Sequence, residues 1–94
     1  MTEVELLPKV KSGLGITGSY QDETLKIYIN DVKAFMISAG VSKEIADSDA
    51  SVGVIVRGVA DLWNLESGSA KFSTYFLMRV TQLAVIPVST TEVV

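Results

Sequence analysis

The chain has 94 residues, of which 48% are hydrophobic, and its eight basic and eleven acidic side chains give a formal net charge of −3. A chain of this length forms one small domain, which buries only about 60–65% of the surface exposed in the unfolded state. Because the sequence contains neither cysteine nor histidine, it has no disulfide and no thiolate nucleophile, and it lacks the commonest general base and metal ligand. The acidic balance, without any basic run, also argues against tight binding to a phosphate backbone.

Apolar side chains are abundant for a domain of this size, with a mean hydropathy of +0.37. One small core cannot easily hide them all. This favours assembly with other chains over the alternative that the excess comes only from small alanines and valines. No run of about 18 uncharged apolar residues and no leader-like beginning occurs. We therefore expect no membrane span, no signal peptide and a protein that is made and used in the cytosol.

The first predicted helix covers about residues 4–13. Thr2 and Glu5 match a capping box that would start it at once, but Pro8 then lies too deep and forfeits a helical hydrogen bond. The alternative is a start nearer Leu7, which places Pro8 in the first turn. The apolar contacts of this helix are predicted to be Leu6, Leu7, Val10 and Leu14.

The second predicted helix covers about residues 20–39. Ser19 resembles an N-cap with an acid, Asp22, at the third helical position, and Gly40 suits the position just after the last turn. At 100° per residue, one arc about 120° wide collects the apolar side chains that we predict to face the core. They are Leu25, Tyr28, Ile29, Val32, Phe35, Met36 and Ala39.

The third predicted helix covers about residues 49–65, after a connection with one short helical turn over residues 42–46. Its N-cap is expected to be Ser48. Valines and glycines are poor helix formers, but the spacing of the apolar residues is helical, so packing must hold this segment. Its core-facing arc contains Ile55, Val56, Val59, Leu62 and Trp63.

The last predicted helix covers residues 74–84 and is capped by Ser73, after a flexible turn at residues 66–70. Its inward side chains are predicted to be Phe76, Leu77, Val80, Leu83 and Ala84. Pro87 prevents residues 85–94 from continuing the helix, so this tail is either disordered or extended along a partner. The sequence thus predicts an all-α fold. It is a small bundle of about four helices in residues 1–84, followed by an extended C-terminal tail.

Motifs for catalysis, cofactors or metals are not found. Asp47, Ser48 and Asp49 could suggest a cation loop, but the glycine and closing glutamate of a calcium loop are missing, so capping and solvation explain them. The glycines after the first helix have the wrong spacing for dinucleotide binding, and no phosphate-loop motif occurs. We therefore predict a protein that is not an enzyme, with no catalytic residue, no cofactor and no metal.

Candidate contacts between subunits lie on the sides of the helices that face away from the predicted core. Val54 lies on the polar side of the third helix, beside Gly53 and Gly58, whose small size would let a neighbouring backbone approach. Arg57 and Asp61 flank it and can also form an ordinary ion pair four residues apart. Tyr75, Arg79 and Gln82 form a stripe on the last helix, which suits either an interface or a solvated surface. The full set of candidates is Ile27, Ala34, Val54, Arg57, Asp61, Tyr75, Arg79 and Gln82.

Three blocks of sequence resemble a known family. They read Tyr28-Ile-x-Asp-Val-Lys-x-Phe35, Ser51-Val-Gly-Val-Ile-Val-Arg-Gly-Val-x-Asp-Leu-Trp-Asn64 and Phe72-Ser-x-x-Phe-x-x-Arg-Val-x-Gln-Leu83. With the leucine-rich first helix, they resemble the head–tail connector family of long-tailed double-stranded DNA phages and prophages, also called adaptor or head-completion proteins. The likeness spans about residues 4–84.

This resemblance implies a non-enzymatic helical subunit of the virion neck, made in the cytoplasm of the bacterial host. Such subunits form a ring beneath the portal, extend the DNA channel and present a surface to the next connector or to the tail. The implied partners are further copies of the chain, in a dodecameric ring on the portal, together with the portal protein and the next connector or tail protein. DNA only passes through the channel, and no membrane is involved. The tail would contact neighbouring subunits or the portal.

A ring needs two different patches on each subunit. We place Ile27 and Ala34 in one patch and Val54, Arg57 and Asp61 in the other. The replacement of Val54 by aspartate is then expected to abolish the ring while the monomer stays helical.

Three alternatives remain open. A small helix-turn-helix regulator would bind nucleic acid, but it predicts a basic recognition helix, and the last two helices offer only Arg57 and Arg79. An enzyme would have to rely on unaided acidic, lysine or tyrosine chemistry. Another phage structural subunit, such as a tail-completion protein, is poorly separated from a connector by sequence.

Overall fold

The computed structural model describes residues 2–64 and 72–86, and these residues contain helices and no strand. In chain order the helices are α1 (Glu3–Leu14), α2 (Asp22–Ser38), α3 (Lys43–Ala46), α4 (Val52–Trp63) and α5 (Thr74–Ala84), with a 3₁₀ turn at Asp49–Ser51 leading into α4. The predicted all-α class and the short turn before the third helix are confirmed. The turn predicted at residues 66–70 and the tail beyond residue 86 lie outside the described residues.

The core lies where α1, α2 and α4 meet, and α5 closes one side of it. Most of the predicted core of α2, α4 and α5 is confirmed, but Ala39, at the C-terminal end of α2, is exposed and its predicted core position is wrong. Nine members of the predicted core are buried: Leu25, Ile29, Val32, Met36, Ile55, Val59, Phe76, Val80 and Leu83. Phe35, Leu62 and Trp63 are half-buried and pack against this cluster.

An aromatic cluster fixes α5 on α2. The ring of Phe76 lies 5.9 Å from that of Phe35 and 4.5 Å from that of Phe72, between centroids. Phe35 and Phe72 complete the triangle at 4.8 Å. Rings at these separations contribute stabilisation beyond the area they bury, so the entry into α5 is held by aromatic packing.

The start of α1 differs from the alternative near Leu7. The helix begins at Glu3, and Thr2 forms the complete capping box with Glu5: each backbone N–H donates to the other's side chain. The missing N–H of Pro8 leaves the carbonyl of Val4 without its helical donor. Val4 is 66% exposed, so water can hydrogen-bond that carbonyl, and the proline is tolerated inside the helix.

Only the C-terminal end of α2 follows the prediction. The N-cap at Ser19 is wrong, because the helix begins at Asp22 and Gln21 makes no side-chain capping bond. Asp22 is instead held by Lys11 of α1, at 2.8 Å. Gly40 is confirmed as the residue that ends α2, with φ +107° and its N–H bonded to the carbonyl of Ile37.

Serine caps lie at the other helix starts: those at Ser48 and Ser73 were predicted, and the one at Ser42 was not. Ser42 accepts the N–H of Ile45 at the start of α3, and Ser48 accepts the N–H of Ala50 before α4. At the start of α5, the hydroxyl of Ser73 accepts the backbone N–H of Phe76 at 3.2 Å. Each cap satisfies a donor that a helix start leaves free.

Candidate interaction surfaces

Val54 is buried by α5, so its prediction as an outward valine is wrong. It is only 3% exposed and belongs to the core cluster. It borders a small cleft of about 170 Å³ between α4 and α5, together with Tyr75 and Arg79. Helix α4 therefore has two apolar sides, one towards α1 and α2 and one towards α5. An aspartate at Val54 would bury a carboxylate in the core and is expected to unfold the monomer.

The close approach that we expected at the glycines of α4 occurs within the subunit at Gly58. A Cβ added at Gly58 would lie 2.6 Å from Cε1 of Phe76 and 2.9 Å from Cγ1 of Val32. The absence of a side chain at this position therefore lets α2, α4 and α5 converge. Gly53, on the same helix, has open space around its Cα, so only Gly53 could still receive a neighbour.

Arg57 and Asp61 hold the start of α5 against α4. Arg57 Nε lies 3.4 Å from Asp61 Oδ1, and Asp61 Oδ2 accepts the backbone N–H of Ser73 at 2.9 Å. The side chain of Asp61 is only 9% exposed, whereas that of Arg57 is 49% exposed. Asp61 is thus engaged inside the subunit, and the ordinary ion pair is confirmed. Its assignment to an intersubunit patch loses its basis, and so does that of Val54.

The side of α5 that faces away from the bundle carries large apolar side chains and no charge. We call it the α5 outer face: Thr74, Tyr75, Leu77, Met78, Thr81, Gln82 and Val85. Among these, Tyr75 is 56%, Met78 is 51% and Val85 is 76% exposed. Leu77 is 43% exposed, so its predicted inward position is wrong. Its wheel position is at the edge of the inward arc, and no other described helix covers that edge.

Arg79 marks one edge of the α5 outer face. It is half-buried, and it donates a short hydrogen bond to the side chain of Gln82. Within the described residues it forms no ion pair. The predicted stripe of Tyr75, Arg79 and Gln82 is thus present on the surface. It is the border of a wider apolar face that the sequence interpretation missed, although the near absence of charge in residues 74–85 was a usable signal.

A second exposed surface runs along α2 and is acidic. We call it the α2 outer stripe: Glu23, Ile27, Asp31, Ala34 and Ser38, all exposed and spaced three or four residues apart. Ile27 is 59% exposed at its centre, and Ala34 lies two turns further along. Asp31 makes no ion pair with a described residue. The outward positions predicted for Ile27 and Ala34 are confirmed.

The most perturbed acid in the described part of the chain, Asp47, braces α3 against α2. Lys33 and Lys43 contact its two carboxylate oxygens at 2.7 and 2.9 Å. Their side-chain hydrogen bonds lower the pKa of Asp47 to about 2. A carboxylate with so low a pKa is a weak base, so this group suits a structural contact better than proton transfer.

Other surface features offer little chemistry. A shallow groove of about 570 Å³ lies between α1 and α4, lined by Glu5, Pro8, Lys9, Ser12, Val52, Gly53 and Val56. Over residues 2–64 and 72–86, acidic side chains form no cluster arranged to hold a metal ion. In that same part of the chain, no helix is both long enough and apolar enough to cross a membrane.

Comparison of the chain with protein-family models, with curated proteins and with solved structures finds no match.

Proposed function

We propose that the chain is a structural subunit that assembles into a ring, and that this ring is a head–tail connector of a long-tailed phage or prophage. The α5 outer face is the observation that carries the proposal. A helix that is apolar on both sides is normally covered by protein on both sides. In the described subunit, α5 is covered only on the side of α2 and α4. The uncovered apolar side of α5 therefore favours a partner protein that binds there.

Two different exposed surfaces on one subunit support a ring over a simple dimer. A heterologous contact joins unlike patches head to tail, and it closes into a ring when the rotation between subunits allows. The α5 outer face and the α2 outer stripe are unlike in charge and lie on different helices. Each subunit thus has the two patches that such a contact requires.

The charge of the chain supports a channel that DNA crosses without being held. Its net charge is −3, and the last two helices carry only two cations: Arg57, which pairs with Asp61, and Arg79. Phosphate binding needs clustered free cations, each of which strengthens attachment to DNA. A ring of such subunits would let the duplex slide. The same observation disfavours the helix-turn-helix regulator.

The test is the oligomeric state, measured by light scattering with negative-stain imaging, with and without a purified phage portal. Rings, or recruitment of the chain to the portal, are the expected result. A chain that stays monomeric and unbound under both conditions would overturn the proposal. Binding to tail proteins but not to portals would indicate a tail-completion subunit, and a shifted DNA band at low salt would indicate the regulator.

A further inference from the structure

We infer that the α5 outer face of one copy docks on the α2 outer stripe of the next copy. This inference rests on the proposed self-assembly and names the surfaces that would form its contact. It replaces the patch around Val54, which α5 of the same chain already covers.

Charge complementarity identifies a second copy as the occupant of the α5 outer face. That face has no acidic side chain and has Arg79 at its edge, whereas the α2 outer stripe has no basic side chain and contains two acids: Asp31, and Glu23, which lies 3.5 Å from the neighbouring Lys26. Neither Arg79 nor Asp31 makes an ion pair among the described residues. Opposite charges on facing patches steer association and fix its register. The arrangement would bring Arg79 of one copy towards the acids of the other.

The apolar parts of the two surfaces also match. On the α5 outer face, Met78 is about half exposed near the middle and Leu77 is 43% exposed at one edge, and Ile27 and Ala34 occupy the middle of the α2 outer stripe. The exposed side chains of α5 present an area on the order of a few hundred Å², the size at which an apolar patch is often functional. Methionine and aromatic residues are enriched in interface cores, and aspartate and glutamate belong at the rim.

Like-with-like pairing explains the surfaces less well. Two α2 outer stripes would place Glu23 and Asp31 against the same acids of another copy, and facing like charges cost binding energy. Two α5 outer faces would leave Ile27 uncovered on both copies. The α2 outer stripe also stays available when the subunit is folded, since α2 faces the core through a different side, on which Val32 is buried and Phe35 contacts Phe76.

The test uses two variants, Met78→Glu and Ile27→Glu, with Val4→Glu as a matched control. Met78 and Ile27 are 51% and 59% exposed, so a glutamate at either position should leave the monomer folded, as circular dichroism would verify. Val4 is also exposed, at 66%, but lies outside both surfaces. Sedimentation velocity is then run on each protein alone and on an equimolar mixture of the two variants, over a range of concentrations.

The two variants should each lose self-assembly, with a dissociation constant raised at least about tenfold, because a buried carboxylate without a partner is unfavourable. Their mixture should recover a one-to-one dimer that cannot extend, since one variant keeps an intact α2 outer stripe and the other keeps an intact α5 outer face. The Val4→Glu control should assemble like the wild-type chain.

Three results would overturn the inference in distinguishable ways. If Ile27→Glu assembles like the wild type while Met78→Glu does not, α5 binds a different surface and the proposed self-assembly survives. If both variants assemble like the wild type, neither surface is the contact, although the chain still self-assembles. If the wild-type chain itself stays monomeric, alone and with portal, the proposed function fails and the inference fails with it.

Discussion

The replacement of Gly58 by alanine tests how closely α5 approaches α4. The added Cβ would lie 2.6 Å from Cε1 of Phe76 and 2.9 Å from Cγ1 of Val32. Phe76 is fully buried between the rings of Phe35 and Phe72, so it cannot turn aside without disturbing them. Such overpacking costs about 1–3 kcal/mol. The higher helix propensity of alanine offsets roughly 0.5–1 kcal/mol of this. The net expected loss is up to about 2.5 kcal/mol.

Gly53→Ala is the matched control, because it is the same substitution on the same helix. A Cβ there meets no atom within 4 Å, so only the propensity gain applies, and stability should rise by up to about 1 kcal/mol. Urea unfolding followed by circular dichroism measures both variants, at a concentration where the chain is monomeric, because assembly would add stability. A loss of 1 kcal/mol should lower the melting temperature by about 4–8 °C. A Gly58→Ala protein as stable as Gly53→Ala would refute the packing described here.

Three further predictions concern charge and capping. Arg79→Glu should weaken self-assembly, and adding Asp31→Arg in the same chain should restore it, as sedimentation velocity would measure; a double variant weaker than the single one would contradict the docking. Ser73→Ala removes the cap of α5 and should lower the free energy of unfolding by about 1 kcal/mol in urea; an unchanged midpoint would count against the cap. Asp47, whose pKa is lowered from 3.8 to about 2, contributes stability that is fully present above pH 3.8 and is lost as the pH falls through about 2. Across that pH window the free energy of unfolding should therefore fall less in Asp47→Asn than in the wild type. Equal decreases would contradict the contact with Lys33.

The inner sides of the helices were predictable because each shows one clear apolar arc. Leu25, Ile29 and Met36 recur at helical spacing and are all fully buried. Ser73 and Gly40 were predictable as helix ends for a local reason, since their conformations and hydrogen bonds involve only neighbouring residues. Local and periodic signals of this kind do not require knowledge of the tertiary contacts.

The second side of α4 was not predictable in the same way. A single arc assumes that a helix meets the core on one side, whereas α4 packs against α1 and α2 on one side and α5 on another. Val54 and Asp61 therefore looked outward although α5 covers them. The start of α2 at Asp22 was missed because a contact with Lys11, eleven residues earlier, holds it.

The two candidate surfaces differ in the same way, since one was predictable from local spacing and the other depends on tertiary packing. The α2 outer stripe follows from helical spacing alone, and Ile27 and Ala34 were found on it. The α5 outer face was recognised only at its border, Tyr75, Arg79 and Gln82. Leu77 and Met78 are residue types that usually face a core, and only the tertiary packing shows them exposed.

The mass of the native assembly is the measurement that tests self-assembly through α5 most directly. Native mass spectrometry of the wild-type chain, alone and with portal, should show one discrete multiple of the 10.1 kDa subunit mass, while Met78→Glu should show the 10.1 kDa monomer. A wild-type chain that appears only as the monomer under both conditions, or a Met78→Glu assembly of unchanged mass, would contradict this account.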